Sequence, residues 1–159
     1  MRILRICAAL ALLSAVASAQ QKAPTQRHLY SSAADITAMI AKSRAERKET
    51  QPIVNQNILR LAPYSAGLEY RASVGPAAVH ETEAEMFYVI EGSGTMVTGG
   101  KLVGETRTNA ENLTGTGIEG GSTRVVGKGD FILVPEKTAH WFSKIDGTLV
   151  LMSLHVPHK

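Results

Sequence analysis

Short runs rich in Val, Ile, Leu, Tyr and Phe recur along most of this chain, separated by clusters of Gly, Pro, Asn and Ser. Apolar and polar positions alternate within the runs, as half-buried strands require. The pattern predicts strands near residues 57–61, 67–71, 78–80, 86–91, 95–98, 123–126, 130–134, 139–143 and 149–155. Strands this short and this evenly spaced argue for a sandwich or barrel rather than for βαβ units. Residues 99–121 break the pattern. They are rich in Gly, Asn and Thr, and they read as a long excursion between strands with at most one weak hairpin. A different period appears near the N-terminus, where Ile36, Met39 and Ile40 fall at i, i+3 and i+4 and make one apolar helix face. Ser32, with Asp35 three residues on, resembles a capping box. Lys42, Arg44, Arg47 and Lys48 gather where a helix C-terminus favours cations, and Pro52 is expected to end the element. The whole is an all-β chain with a short N-terminal helix and no internal repeat.

The chain begins differently. Arg2 and Arg5 precede an apolar run over residues 6–16, and Ala17-Ser18-Ala19 offers a small-residue cleavage site. This is the order of a secretory signal peptide. The apolar run is shorter than the about 20 residues that span a bilayer. The expected organisation is therefore a signal peptide over 1–19, a flexible leader over 20–31 and one domain over 32–159. The mature protein would be periplasmic or secreted, with no stable membrane anchor.

Cleavage changes both composition and charge. The only cysteine is Cys7, so the mature protein would carry no thiol, no disulfide and no thiolate ligand. Loss of Arg2 and Arg5 takes the formal charge from +3 to +1. Apart from the cluster at the helix end, the remaining basic residues are scattered, which gives nucleic-acid binding little support. No serine sits in the glycine context of a nucleophile elbow. Imidazole and carboxylate are the strong metal ligands left.

Two stretches bring such donors to places where a turn feeds a strand. One runs from His80-Glu81-Thr82-Glu83-Ala84-Glu85 to Gly92; the other runs from Gly129-Asp130 through Pro135 to His140-Trp141-Phe142. Together they resemble the paired motifs of the cupin superfamily. The first family motif is G-x5-H-x-H-x3-4-E-x6-G, and His80, Glu85 and Gly92 match it. The second is G-x5-P-x-G-x2-H-x3-N, matched by Gly129, Pro135 and His140. The likeness covers residues 68–155. Four positions depart: Ala78 stands for the first histidine, Ala72 for the leading glycine, Lys137 for the second motif's glycine and Lys144 for its asparagine.

The resemblance implies a single cupin-type β-barrel, or jelly roll, and a metal held by His80, Glu85 and His140. Two imidazoles and a carboxylate suit Fe, Mn, Zn or Ni and leave open positions. Glu81 or Glu83 is a candidate fourth ligand. Dioxygenase, isomerase, decarboxylase and lyase activities all occur in the superfamily, as do homodimers. The implied protein is a metal-dependent enzyme acting on a small organic molecule, plausibly a carboxylate. The alternative is a barrel that binds a small molecule or metal without turnover. No catalytic residue is assigned.

Alternation then orients the neighbours. With Glu85 inward, Phe87 and Val89 face inward too, while Met86, Tyr88 and Ile90 face out. Phe142 shares the inward face with His140, and Trp141 faces out. The outward apolar residues need a cover, either the Ile36/Met39/Ile40 helix face or a second subunit. Arg71 shares a face with Glu69; it is either a grip for a substrate carboxylate or half of a surface ion pair. His155 faces either the lumen or solvent. The expected pocket thus comprises Arg71, Glu83, Phe87, Val89, Phe142 and His155, with Glu111 and Glu119 on an excursion that could act as a lid.

Overall fold

The computed structural model describes residues 29–158. The expected signal peptide (1–19) and the leader up to residue 28 lie outside the described residues. The helix forms where the apolar spacing predicts it. α1 spans Ala33–Glu46, and Ser32 caps it. The Asp35 N–H donates to the Ser32 hydroxyl at 3.1 Å, while the Ser32 N–H donates back to the Asp35 carboxylate at 2.8 Å. The helix stops before Pro52 is reached. Arg47 leaves helical geometry, and its guanidinium donates to the carbonyls of Lys48, Glu49 and Gln51, tying the following turn together.

Eleven strands follow: β1 Ile53–Leu61, β2 Tyr64–Arg71, β3 Ala77–His80, β4 Glu83–Thr98, β5 Lys101–Val103, β6 Thr106–Arg107, β7 Asn112–Gly115, β8 Gly117–Glu119, β9 Ser122–Gly127, β10 Phe131–Val134 and β11 His140–Pro157. Every pairing is antiparallel. β4 and β11 are the longest, and they organise the rest. β4 pairs with β9, β10 and β11, while β11 pairs with β2, β3 and β4. The pattern had predicted two strands in place of each. Gly92, at φ 81°, and register slips around residues 142–151 bend these strands without ending them. At Gly92 the partner strand comes so close that a Cβ would sit 1.8 Å from the Thr148 carbonyl oxygen.

The excursion also differs from expectation. Residues 99–121 form four short strands. β7 pairs with β3 and β6, and β5 pairs with β8. Backbone ladders hold this segment where apolar side chains are scarce, which is why its hydropathy read as loop. Trp141 anchors it from β11. Its indole N–H donates to the Gly75 carbonyl at 2.9 Å, and its ring packs over Gly117, where a Cβ would lie 3.4 Å away.

Two cores result. Inside the barrel, Phe87, Val89, Met96, Val126, Val134, Phe142, Leu149 and Leu151 pack together. Outside, Ile40 of α1 is buried with Ile58, Ala66, Leu68, Tyr70 and Val150, and Ile36, Met39, Ile90 and Met152 pack against that cluster. The helix therefore covers the outward apolar face of β1, β2 and β11. No helix among the described residues is long and apolar enough to cross a membrane.

Ile40 is the most buried apolar side chain on α1. Ile40→Ala is expected to cost about 2–4 kcal/mol, read as a lower urea midpoint at unchanged m-value. A cost below the about 0.5 kcal/mol typical of surface changes would show that α1 does not complete this core.

Candidate functional site

One end of the lumen is polar, and cross-strand pairing brings its residues together. Register places His155 of β11 opposite Glu85 of β4, His140 of β11 opposite Ala78 of β3, and His80 of β3 opposite Asn112 of β7. The turn that delivers His140 is pinned to β3, because the Lys137 N–H donates to the His80 carbonyl at 2.7 Å. Lys137 keeps a positive φ of 59° at a position where glycine would be unstrained.

Glu85 is the centre. It is 3% exposed, and four side chains converge on its carboxylate. Ser153 Oγ donates to Oε1 at 2.6 Å. His80 Nε2 and His140 Nε2 lie 3.1 and 3.0 Å from Oε2, and His155 Nε2 is 3.5 Å from Oε1. The far side of each imidazole faces another oxygen. His80 Nδ1 meets Asn112 Oδ1 at 2.5 Å, and His140 Nδ1 makes a long 3.4 Å contact with the Thr138 carbonyl. His155 Nδ1 is 2.6 Å from Glu83 Oε1, but out of line for a hydrogen bond, so this buried nitrogen has no aligned acceptor among the described residues. Phe87 closes the floor, with its ring centroid 5.9 Å from that of His140.

The cluster shifts its own proton equilibria. Burial alone would push the Glu85 carboxyl up. Hydrogen bonds from His140 and His80, the charge on His140 and the Ser153 hydroxyl more than reverse this and hold it well below the usual carboxylate range. Burial likewise opposes charge on His80. Hydrogen bonds to Glu85 and Asn112, with the charges of Glu85 and Glu83, overcome it and raise His80 to about 8.

The donor set fits a divalent cation. Ligand atoms of His80, Glu85 and His155 lie within 4.8 Å of one another, close enough for one ion. His140 Nε2 shares the same carboxylate oxygen with His80. An imidazole whose second nitrogen is held by an oxygen acceptor is the usual arrangement behind a histidine ligand.

No protein-family profile matches the chain, and no curated protein matches it in sequence. Solved structures do. KdgF from Halomonas sp. superposes with a TM-score of 0.52 at 16% identity, covering 71% of this chain and 86% of that one. The cupin domain of Schizosaccharomyces pombe Cnp3 gives 0.50 at 15% identity, covering 73% and 72%. The Fe(II) form of HppE gives 0.51 at 17% identity, covering 69% of this chain and 52% of HppE. The fold is a cupin barrel. At these identities the likeness is one of fold, so the site stands on this chain's own residues.

Within the cupin barrel, the residues predicted from sequence fall into three groups. His80, Glu85 and His140 come together at the mouth, joined by His155, which faces the lumen beside Glu85. Glu83 sits behind His155, whereas Glu81 is turned away into a bidentate pair with Arg107 at 2.7 and 3.1 Å. Phe87, Val89 and Phe142 do point inward, but each is at most 1% exposed and closed into the core, so they floor the mouth instead of lining open space. Arg71 takes the Glu69 pairing of its second reading, but inside the lumen and not at the surface. Its guanidinium is buried, 2.6 Å from Glu69 and 4.6 Å over the Phe142 ring. Asn112 and Ser153 were missed. Asn112 lay in a segment read as loop. Ser153 did leave a signal, as the one hydroxyl inside the apolar run over residues 149–154.

Linkage fixes the pH response of chelator-treated protein. The depressed Glu85 contributes stability present above its ordinary 4.5 and lost as pH falls. The raised His80 contributes stability fully present below its ordinary 6.5 and lost as pH rises through about 8. Urea midpoints are therefore expected to peak between these limits and to decline on both sides. In Glu85→Gln both flanks should flatten; unchanged flanks would remove the carboxylate from the account.

Proposed function

We propose that the mouth of the barrel binds one divalent cation through His80, Glu85, His140 and His155 and presents it to a small organic molecule as a metal-dependent enzyme. The observation that carries this is the shared orientation of three imidazoles. Each turns Nε2 toward one buried carboxylate and Nδ1 toward an oxygen. His155 supplies from β11 an imidazole in place of the one that Ala78 lacks on β3. Asn112 and the Thr138 carbonyl hold two of the rings in place, and the Glu83 carboxylate lies against the third. Ser153 keeps Glu85 Oε1 oriented and ionised. Phe87 and Phe142 keep water from the floor. A bound divalent cation would supply Lewis acidity or dioxygen activation.

The protein is also read as exported, from the order of Arg2, Arg5, the apolar run and the Ala17-Ser18-Ala19 site. A second reading is a metal-free barrel braced by histidine–carboxylate bonds, and the 3.0–3.1 Å contacts to Glu85 favour it.

Elemental analysis of protein lacking residues 1–19 separates the two readings. The proposal expects one transition-metal ion per chain, lost in His80→Ala and Glu85→Ala. Asn112→Ala should still bind, weakened by about 10-fold. Wild-type protein that neither carries nor takes up such an ion would leave the metal-free reading standing.

A further inference from the structure

The outward sheet ends differently at its two sides. β10 pairs with β4 alone, so its other edge carries no strand among the described residues. The Asp130 carbonyl accepts from the Val89 N–H at 3.0 Å, and alternation turns the Ile132 backbone toward β4 as well. The backbone groups of Phe131 and Leu133 therefore point to the open edge. Their side chains stand on the outward face, each 61% exposed. Tyr88 shares that face, with its ring centroid 5.6 Å from that of Phe131, and so does Met86, the register partner of Leu133. The helix α1 packs over β1, β2 and β11, and this patch lies outside the cluster that it covers.

Exposed edges are commonly guarded by a charge, a proline or a covering element. β1, at the other side, has exposed Asn55 and Asn57 and lies against α1, where the Gln56 amide donates to the Met39 carbonyl at 2.6 Å. β10 has no charge and no proline within Phe131–Val134. Its sequence is instead self-complementary. About a two-fold axis at Ile132, antiparallel pairing with a second copy sets Phe131 opposite the partner's Leu133, apolar against apolar. The same register sets Lys128 opposite the partner's Glu136, and the symmetry repeats that pair. Lys128 has no ion-pair partner among the described residues, and Glu136 meets His158 through Oε1, which leaves Oε2. Moving the axis to Phe131 or Leu133 would face Lys128 with the partner's Val134 or the partner's Thr138 and lose the charge match.

We infer that β10 pairs antiparallel with β10 of a second copy about a two-fold axis at Ile132, joining the two sheets into one. Each copy spends its open β10 edge once, so this contact closes at two chains. Glu136 lies in the turn that delivers His140, so the pairing also braces that turn. Nothing in the inference depends on the metal.

Sedimentation equilibrium in a Cys7→Ser background, which removes the only native thiol, tests it. The parent should sediment as two chains at tens of micromolar. Leu133→Lys puts a charge on the edge and should weaken association by about 10-fold or more with unchanged circular dichroism. If that variant does not fold, Phe131→Lys should do the same. Lys128→Glu should weaken association by about 5-fold, and adding Glu136→Lys should restore it. Under mild oxidant Ile132→Cys should cross-link to itself, because residues opposed at a non-hydrogen-bonded pair lie about 4.5 Å apart at Cα, within disulfide reach. Val125→Cys, 74% exposed on β9, should not. A monomeric parent would overturn the inference and leave the edge to a different chain. A dimer indifferent to both lysine variants, or cross-linking at Val125→Cys in place of Ile132→Cys, would overturn it too.

Discussion

Glu85 is 3% exposed, and a carboxylate at that depth is unstable unless donors replace its lost water. Here the replacement is complete. One serine and three imidazoles surround it, and they come from β3 and from both ends of β11. A charge buried this way needs all its partners, and removing any of them leaves a cost behind. The polar end of the lumen is therefore a constraint on the fold as well as a place for chemistry.

The two long strands meet that constraint. β11 runs past β3, β4 and β2 in turn, so one strand delivers His140 at its start and Ser153 and His155 near its end. β4 lies antiparallel to it and sets Glu85 opposite His155. The aromatic floor of Phe87 and Phe142 separates this polar end from the aliphatic core below, and α1 seals the outward face of β1, β2 and β11. Among the described residues, Lys137 is the one non-glycine residue at positive φ, and its backbone ties the His140 turn to the end of β3.

Much of this was legible in the sequence. Period-2 alternation gave the inward set Glu85, Phe87 and Val89, and the i, i+3, i+4 spacing gave the helix face that the barrel buries. The motif spacings brought His80, Glu85 and His140 to one place. What failed shares a cause. Strand content was inferred from apolar side chains, so β7, held by backbone pairing, was read as loop and Asn112 went with it. The gaps expected after residues 91 and 143 are bends, because Gly92 and Gly147, both at positive φ, lie inside continuous strands. Without continuity through β11, the parity of His155 could not be fixed. Arg71 escaped for another reason, since sequence separates a buried pair from a surface pair only once the lumen is closed.

X-ray absorption at the metal edge of the zinc-loaded protein addresses the centre most directly. The account predicts a first shell of nitrogen and oxygen alone, with the outer-shell scattering of two or more imidazoles. A shell of oxygen only, without imidazole scattering, would contradict it.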